Sequence, residues 1–357
     1  MSKNPKIRTL LVGLGRIAST LENDPLRIKP CTHAGVLLSK WGKANFSLDG
    51  IYDSNPEKIE LFLSQWKIET PSMVLSTSDY ECLFLNQITS KRPVFDFAVV
   101  ATSSFSHFEI ASRLILCGVK HILIEKPVSL HSNDAKKLEK MAKQNRTKIW
   151  INHERRYHPR YQFVKEIIDS NLYGKVESVR ANVFTSARNP GNAFSKYGGG
   201  PLLHDGTHAI DLLYWMFGKL KLRYANVIRP TSKAIESRAT AWFTSPKANE
   251  IFLDVSGGRD YFQFEIDIFT TKGRFILSND GFQFFHSQSS PLYKGFRSLK
   301  QFEFSKFPTA EKSSAFLGIY KEIESNIREK SDYQEGTIKD SIDILQCIES
   351  IYQYRRK

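Results

Sequence analysis

Sulfur is scarce in this sequence. Its 357 residues hold four cysteines, Cys31, Cys82, Cys117 and Cys347. They are scattered with no C-x-x-C spacing, which argues against a disulfide framework and a cysteine zinc site and leaves them as reduced core thiols. Long apolar runs are missing as well: no stretch reaches the roughly 18 residues of a membrane span. Residues 1–7 are charged where a signal peptide would carry an apolar core. A soluble, cytoplasmic protein with no membrane partner is expected. Repeats and low-complexity linkers are also absent. Acidic residues are in deficit, 37 against 51 Lys and Arg, for a formal net charge of +14. Such a balance fits a nucleic-acid binder, a lysine-rich surface, or an anionic substrate or cofactor phosphate. The basic residues are dispersed, which favours the plain surface, and no nucleic-acid motif or basic aromatic platform is present.

What is present suits a large core: 41% of residues are hydrophobic and 12% aromatic, and the length suggests two domains. The first 150 residues alternate strand-like segments, at 7–15, 46–53, 95–102 and 121–125, with helical periodicity, clearest at 107–119 before the Cys117-Gly118 stop. Strands separated by helices imply a doubly wound parallel sheet of the Rossmann kind. After about residue 176 the texture becomes β-rich, with alternating segments at 176–187, 222–229, 237–244, 249–257, 262–271 and 274–285. These suit a large, open, mostly antiparallel sheet in a second α/β domain. The expected division is 1–127 and 128–357, with the final helix, 341–357, a candidate to pack back on the first domain.

The first strand runs into "VGLGRIAST", a G-x-G-x-x-G/A pattern with Gly13, Gly15 and Ala18. Gly13 allows the tight turn, Gly15 lets the backbone approach a pyrophosphate, and the amides through Arg16 and Ile17 would face the phosphates. An acidic residue ending the second strand should hold the adenosine ribose, and Asp53 is placed for it. Its distance from Gly15 exceeds the usual ~20 residues because 21–32, "LENDPLRIKPCT", reads as an insertion, either a loop over the cofactor or a surface excursion. Asp53 is followed by Ser54 and Asn55 with no nearby arginine, which favours NAD over NADP. The fourth strand, "HILIE", ends on Glu125, Lys126 and Pro127. Ligands bind beyond the carboxyl ends of parallel strands, so these residues are expected in the cofactor cleft. Lys126 could there stabilise a developing alkoxide.

The stretch from "FDFAVVATSS" to "HILIEKPVSL", the Arg156-Tyr157-x-Pro159 segment, and "YGGGPLLHDGTHAIDLLYWMFG" (197–218) together resemble the Gfo/Idh/MocA family. The resemblance covers essentially the whole chain. It implies a Rossmann domain followed by an α/β domain, and a dimer or tetramer formed through open sheet faces. It places Thr102, Ser103, His107, Glu125 and Lys126 with the cofactor, and Lys126 and His208 in catalysis, His208 as general acid/base. Ser103 and Ser104 stand where the family commonly has Pro-Asn. His204 stands where many relatives carry Asp, with Asp205 displaced by one; on a helix His204 and His208 share a face, and Asp205 would approach His208 or the backbone from the side. His204, Asp205 and Arg156 are therefore expected at the substrate, and the arginines and histidine of "HERRYHPR" suggest an anionic sugar. The H-x-x-x-H spacing also fits a metal pair, but no third ligand is specified, so no metal is expected. The implied activity is NAD(P)-dependent hydride transfer to or from a secondary alcohol of a sugar, cyclitol or nucleotide-linked sugar. The alternatives are a catalytically silent nucleotide-sensing regulator and, less in keeping with the motifs, a nucleic-acid binder.

Overall fold

A computed structural model of the chain describes residues 5–68, 74–75, 95–185, 199–231, 234–309, 314–329 and 334–354; Cys82, Tyr197 and Gly198 lie outside them. Apolar strands that end in glycine or polar turns build the first sheet. β1 (Ile7–Val12), β2 (Phe46–Tyr52), β3 (Phe97–Val100), β4 (His121–Ile124) and β5 (Lys148–Ile151) run parallel in the order β2-β1-β3-β4-β5. β3 is buried along its whole length, as a strand covered on both faces must be. The order reverses between β1 and β3, the kind of switch point at which a crevice opens beyond the strand ends. The helices of this part are α1 (His33–Leu37), α2 (Lys40–Asn45), α3 (Pro56–Trp66), α4 (His107–Leu116) and α5 (Ser132–Asn145). α3 starts as its sequence dictates: Asn55 accepts the Glu57 amide and Pro56 takes the first turn. α4 stops at Cys117 and Gly118, whose φ is +82°.

The insertion breaks up what would be the first long helix after β1. Residues 16–19 form turns and Thr20–Asn23 a short 3-10 helix. The Glu22 carboxylate folds back on the start of α1, accepting from the Cys31 amide at 3.1 Å and the Thr32 hydroxyl at 2.8 Å.

In the second unit α6 (Pro159–Asp169) leads into β6 (Val176–Phe184). After it come α7 (Thr207–Phe217), β7 (Lys221–Ile228), β8 (Arg238–Thr244), β9 (Glu250–Ser256), β10 (Gln263–Thr270), β11 (Gly273–Ser278), β12 (Gly281–Ser289) and β13 (Arg297–Phe302). These eight strands form one sheet, β13-β12-β11-β10-β6-β9-β8-β7, in which only β6 and β9 pair in parallel. Alternation sorts the faces. Val179, Ala181 and Val183 of β6 are buried beside Ile268, Ile266 and Phe264 of β10. The opposite face carries the row Tyr224, Trp242, Phe252, Arg180 and Asp267 across five strands.

The expected boundary, 127/128, falls inside the first of two compact units. One compact unit comprises Met1–His158 with Ala310–Ile342, the other Pro159–Thr309 with Asp343–Lys357. β5 pairs with β4 and so belongs to the first sheet. The helix that returns to the first unit is α8 (Ala315–Glu329), not the last one. Its Tyr320 packs edge-on against Phe46 and Phe97 with ring centroids 5.8 and 5.9 Å away, and Phe316, Ile319 and Ile323 join the same core. The final helix, α9 (Ile338–Gln353), falls with the second unit from Asp343 onward.

Candidate functional site

The glycine turn sits at the switch point, against the end of β3. Gly13 has φ +88°, and a Cβ there would lie 2.7 Å from the Ala101 carbonyl and the Thr102 nitrogen, so both conformation and space demand glycine. Gly15 is different: among the described residues a Cβ there would meet no atom within 4 Å. The chain's own packing does not require that glycine, whereas close approach of a pyrophosphate would. Arg16 beside it is exposed and Ile17 half-buried. Because turns follow Gly15 here, any anion would be held by turn amides rather than by a long helix.

Asp53 sits at the end of β2 and already serves the glycine turn. One carboxylate oxygen accepts the Leu14 amide at 2.8 Å and the other the Asn55 amide at 2.9 Å. A carboxylate has about four lone-pair sites, so two remain for a ribose. Lys58 lies 3.7 Å away.

At the end of β3, Thr102 is half-buried and Ser103 exposed, and the Ser106 hydroxyl donates to Thr102 Oγ1 at 2.8 Å. His107 is buried. Its ring nitrogens lie 2.8 Å from the Pro127 carbonyl and 3.0 Å from the Thr102 carbonyl, and burial lowers its pKa despite those bonds. It ties the β3 turn to the β4 turn, so its ring nitrogens serve the backbone instead of facing a cofactor.

Glu125 also turns inward. It is 6% exposed, and its Oε1 accepts from His33 Nε2 at 2.8 Å and from Asn152 Nδ2 at 2.5 Å. Burial pushes its pKa up, but the His33 bond and charge, Asn152 and Lys126 outweigh that and hold it below the usual carboxylate range. Lys126 is half-buried before a cis Pro127, whereas the Glu125 carboxylate is taken up by His33 and Asn152. Glu154, following β5, is pushed upward by burial, with Arg155 and Lys126 opposing and Glu125 reinforcing the shift.

Arg156 is buried as well. It is 2% exposed and donates from Nη1 to Asp340 at 2.7 Å, with Glu335 at 3.7 Å. An arginine buried in such an ion pair is held in place by the fold. Arg160 donates to the Pro308 carbonyl and stacks 5.2 Å from the Phe307 ring.

On the second unit a single π turn, Leu202–Gly206, precedes α7 and carries His204 and Asp205. Such turns re-aim side chains and recur at functional sites; nothing in the sequence pattern announced it. His204 Nδ1 lies 2.7 Å from Asp205 Oδ1, so Asp205 reaches the neighbouring ring rather than only flanking His208. His208 is half-buried in the first turn of α7. Gly200, at φ +84°, lets Glu236 approach: a Cβ there would lie 2.6 Å from its carboxylate. Glu236 in turn accepts the Leu202 amide at 2.9 Å and the Tyr352 hydroxyl at 2.9 Å.

The sequence was compared with known proteins. Residues 7–153 match the model described as an oxidoreductase family with an NAD-binding Rossmann fold, and 161–276 match the GFO/IDH/MocA C-terminal domain. An uncharacterized oxidoreductase of Synechocystis is 28% identical over 224 residues, 54% of this chain and 59% of that protein. The chain's matches span about half the length of the curated relatives. Among solved structures, a putative NADPH-dependent oxidoreductase of Desulfitobacterium hafniense superposes with TM-score 0.76 at 17% identity, covering 99% of this chain and 97% of that one. The WlbA dehydrogenase of Bordetella pertussis, solved with NADH and UDP-GlcNAcA, gives 0.72 at 20%, covering 98% and 96%. At such identities these two likenesses speak for the fold. With the Rossmann and C-terminal models matched in order over more than half its length, the chain belongs to the Gfo/Idh/MocA family of oxidoreductases.

Proposed function

We propose that the protein is an NAD(P)-dependent dehydrogenase or reductase. It would move a hydride between nicotinamide and the CH–OH or C=O carbon of a sugar, cyclitol or nucleotide-linked sugar. The observation that carries this reading is the contrast at the glycine turn: Gly13 is fixed by its neighbours, while Gly15 keeps a face clear of the described residues beside the switch point. A bound nicotinamide supplies the hydride acceptor or donor; the remaining tasks fall to the chain. Lys126 is assigned to donate to the reacting oxygen and stabilise alkoxide charge. His208 is assigned to take or return the hydroxyl proton, a role suited to imidazole near neutral pH. His204, held by Asp205, is assigned to orient the substrate. Asp53 is assigned the adenosine ribose and thus a preference for NAD, with Lys58 the group that would reverse it. Sugar-like substrates are supported by UDP-GlcNAcA in the WlbA structure. With Arg156 spent internally, the case for an anionic one is weaker than the sequence suggested. The test is a panel of sugar nucleotides and polyols followed by the absorbance of reduced nicotinamide. Lys126→Ala and His208→Ala should each lower turnover by roughly 10²-fold or more in folded protein, and unchanged turnover in both would reject the assignment. Tighter binding of NADP than NAD would transfer the phosphate to Lys58.

A further inference from the structure

Four polar side chains from four elements meet inside the first unit: Tyr320 of α8, His33 at the start of α1, Glu125 at the end of β4 and Asn152 at the end of β5. None is more than 6% exposed. Tyr320 Oη lies 2.9 Å from His33 Nδ1, and Glu125 Oε1 is reached by His33 Nε2 and Asn152 Nδ2. An ionised carboxylate only accepts, so His33 Nε2 carries the proton and donates. The Tyr320 hydroxyl bonds the other ring nitrogen, Nδ1, and so holds the ring in its orientation. Apolar residues of similar volume would pack here at least as well, since buried charges are weak contributors to stability. The chain ends at Lys126, whose amide donates to Glu125 Oε2 at 3.3 Å.

We propose that His33 is a positioning residue for Lys126: it orients the Glu125 carboxylate and keeps it anionic, and Glu125 sets the turn and the local charge at Lys126. Besides Asn152, the titratable groups that face Glu125 are His33 from α1, Tyr320 from α8, Lys126 next in the chain, His107 from α4 and Glu154 after β5. Of these, only His33 gives the carboxylate a side-chain N–H from a ring already locked by a second partner. Loss of that donor leaves a buried carboxylate that protonates more readily, and Lys126 then loses its neighbouring anion. The consequence for turnover rests on the dehydrogenase reading above; the geometric claim does not.

The experiment therefore starts without substrate or cofactor. Protein labelled with ¹⁵N-lysine, with the Lys126 amide assigned by its loss in Lys126→Arg, is titrated between about pH 5 and 8. His33→Leu should introduce an inflection at that amide that is absent in the double variant His33→Leu/Glu125→Gln. His33→Gln, which retains a donor, should stay close to the parent. If His33→Leu does not fold, Tyr320→Phe, which removes one hydroxyl from an otherwise unchanged ring, should give a smaller inflection of the same origin. A folded His33→Leu or, in its place, Tyr320→Phe with the parent's titration overturns the proposal. Where a substrate is in hand, His33→Leu should lower kcat by about 10- to 100-fold and move the pH limb, leaving the cofactor's binding nearly unchanged. Failure to find any turnover counts against the proposed function alone, because the amide titration does not depend on it.

Discussion

Gly13 and Gly15 stand two residues apart and answer to different neighbours, so alanine separates their roles. Gly13→Ala forces an L-residue to φ +88° and places its Cβ 2.7 Å from fixed backbone. The strain is of order 1–3 kcal/mol, with overpacking of similar size added, and both stability and cofactor binding should fall. Gly15→Ala meets nothing among the described residues. Its melting temperature should stay near the parent's while cofactor affinity drops, which thermal melts and a fluorescence titration with NADH would separate. An unchanged affinity would mean that no ligand approaches Gly15. At this scale the sequence was legible where a residue's role is local. The glycine turn and Lys126 both sit at strand ends, and a strand pattern locates its own end. It was not legible where a side chain turns inward to a distant partner. Glu125 finds His33 across 92 positions and Arg156 finds Asp340 across 184, and neither address is encoded in periodicity.

The catalytic helix candidate, α7, begins at a turn whose amides need acceptors, and Glu236 meets that need from another segment. Burial raises the Glu236 pKa, opposed by the Leu202 amide, the Tyr352 hydroxyl and Arg229. A carboxyl raised on folding contributes stability that is present below its unfolded pKa and lost as pH rises through its folded pKa. At neutral pH its charge is a cost. Both accepted bonds go to Oε1, so Glu236→Gln keeps them and removes the charge. The variant should melt about 2–4 °C above the parent at alkaline pH, with the gap shrinking as pH falls toward the ordinary carboxylate range. A constant gap would assign the gain to something other than titration. Most strands of both sheets were readable from apolar runs and alternation, although β11 and β12 read as one stretch, 274–285, and β13 was not read. Two elements of the first unit were not. β5 is four residues long, and α8 reads as an ordinary amphipathic helix whose destination, the Phe46 and Phe97 surface, only the fold reveals.

The eight-stranded sheet leaves one face with large apolar residues in view: Trp242 is 51% exposed, Ile228 45% and Tyr224 38%. Bidentate pairs between Arg238 and Asp254 and between Arg274 and Asp267 lie on the same face. Exposed aromatics with arginines are the composition of an interface core, and we propose that a second copy of the chain covers it. Sedimentation should then show an oligomer for the parent and a smaller species for Trp242→Glu, whose folding circular dichroism would verify. A monomeric parent would reject this. Among the described residues no helix is long and apolar enough to cross a membrane. The interrupted make-up of the first unit, Met1–His158 completed by Ala310–Ile342, also bears on how the protein is born. When the ribosome has delivered β5, the surface awaiting Tyr320 is still bare, and α8 emerges only after about 160 more residues. At synthesis rates of about 5–20 residues per second, that interval is roughly 8–30 s. During it the nascent Rossmann sheet carries uncovered phenylalanines, the kind of surface that chaperones hold.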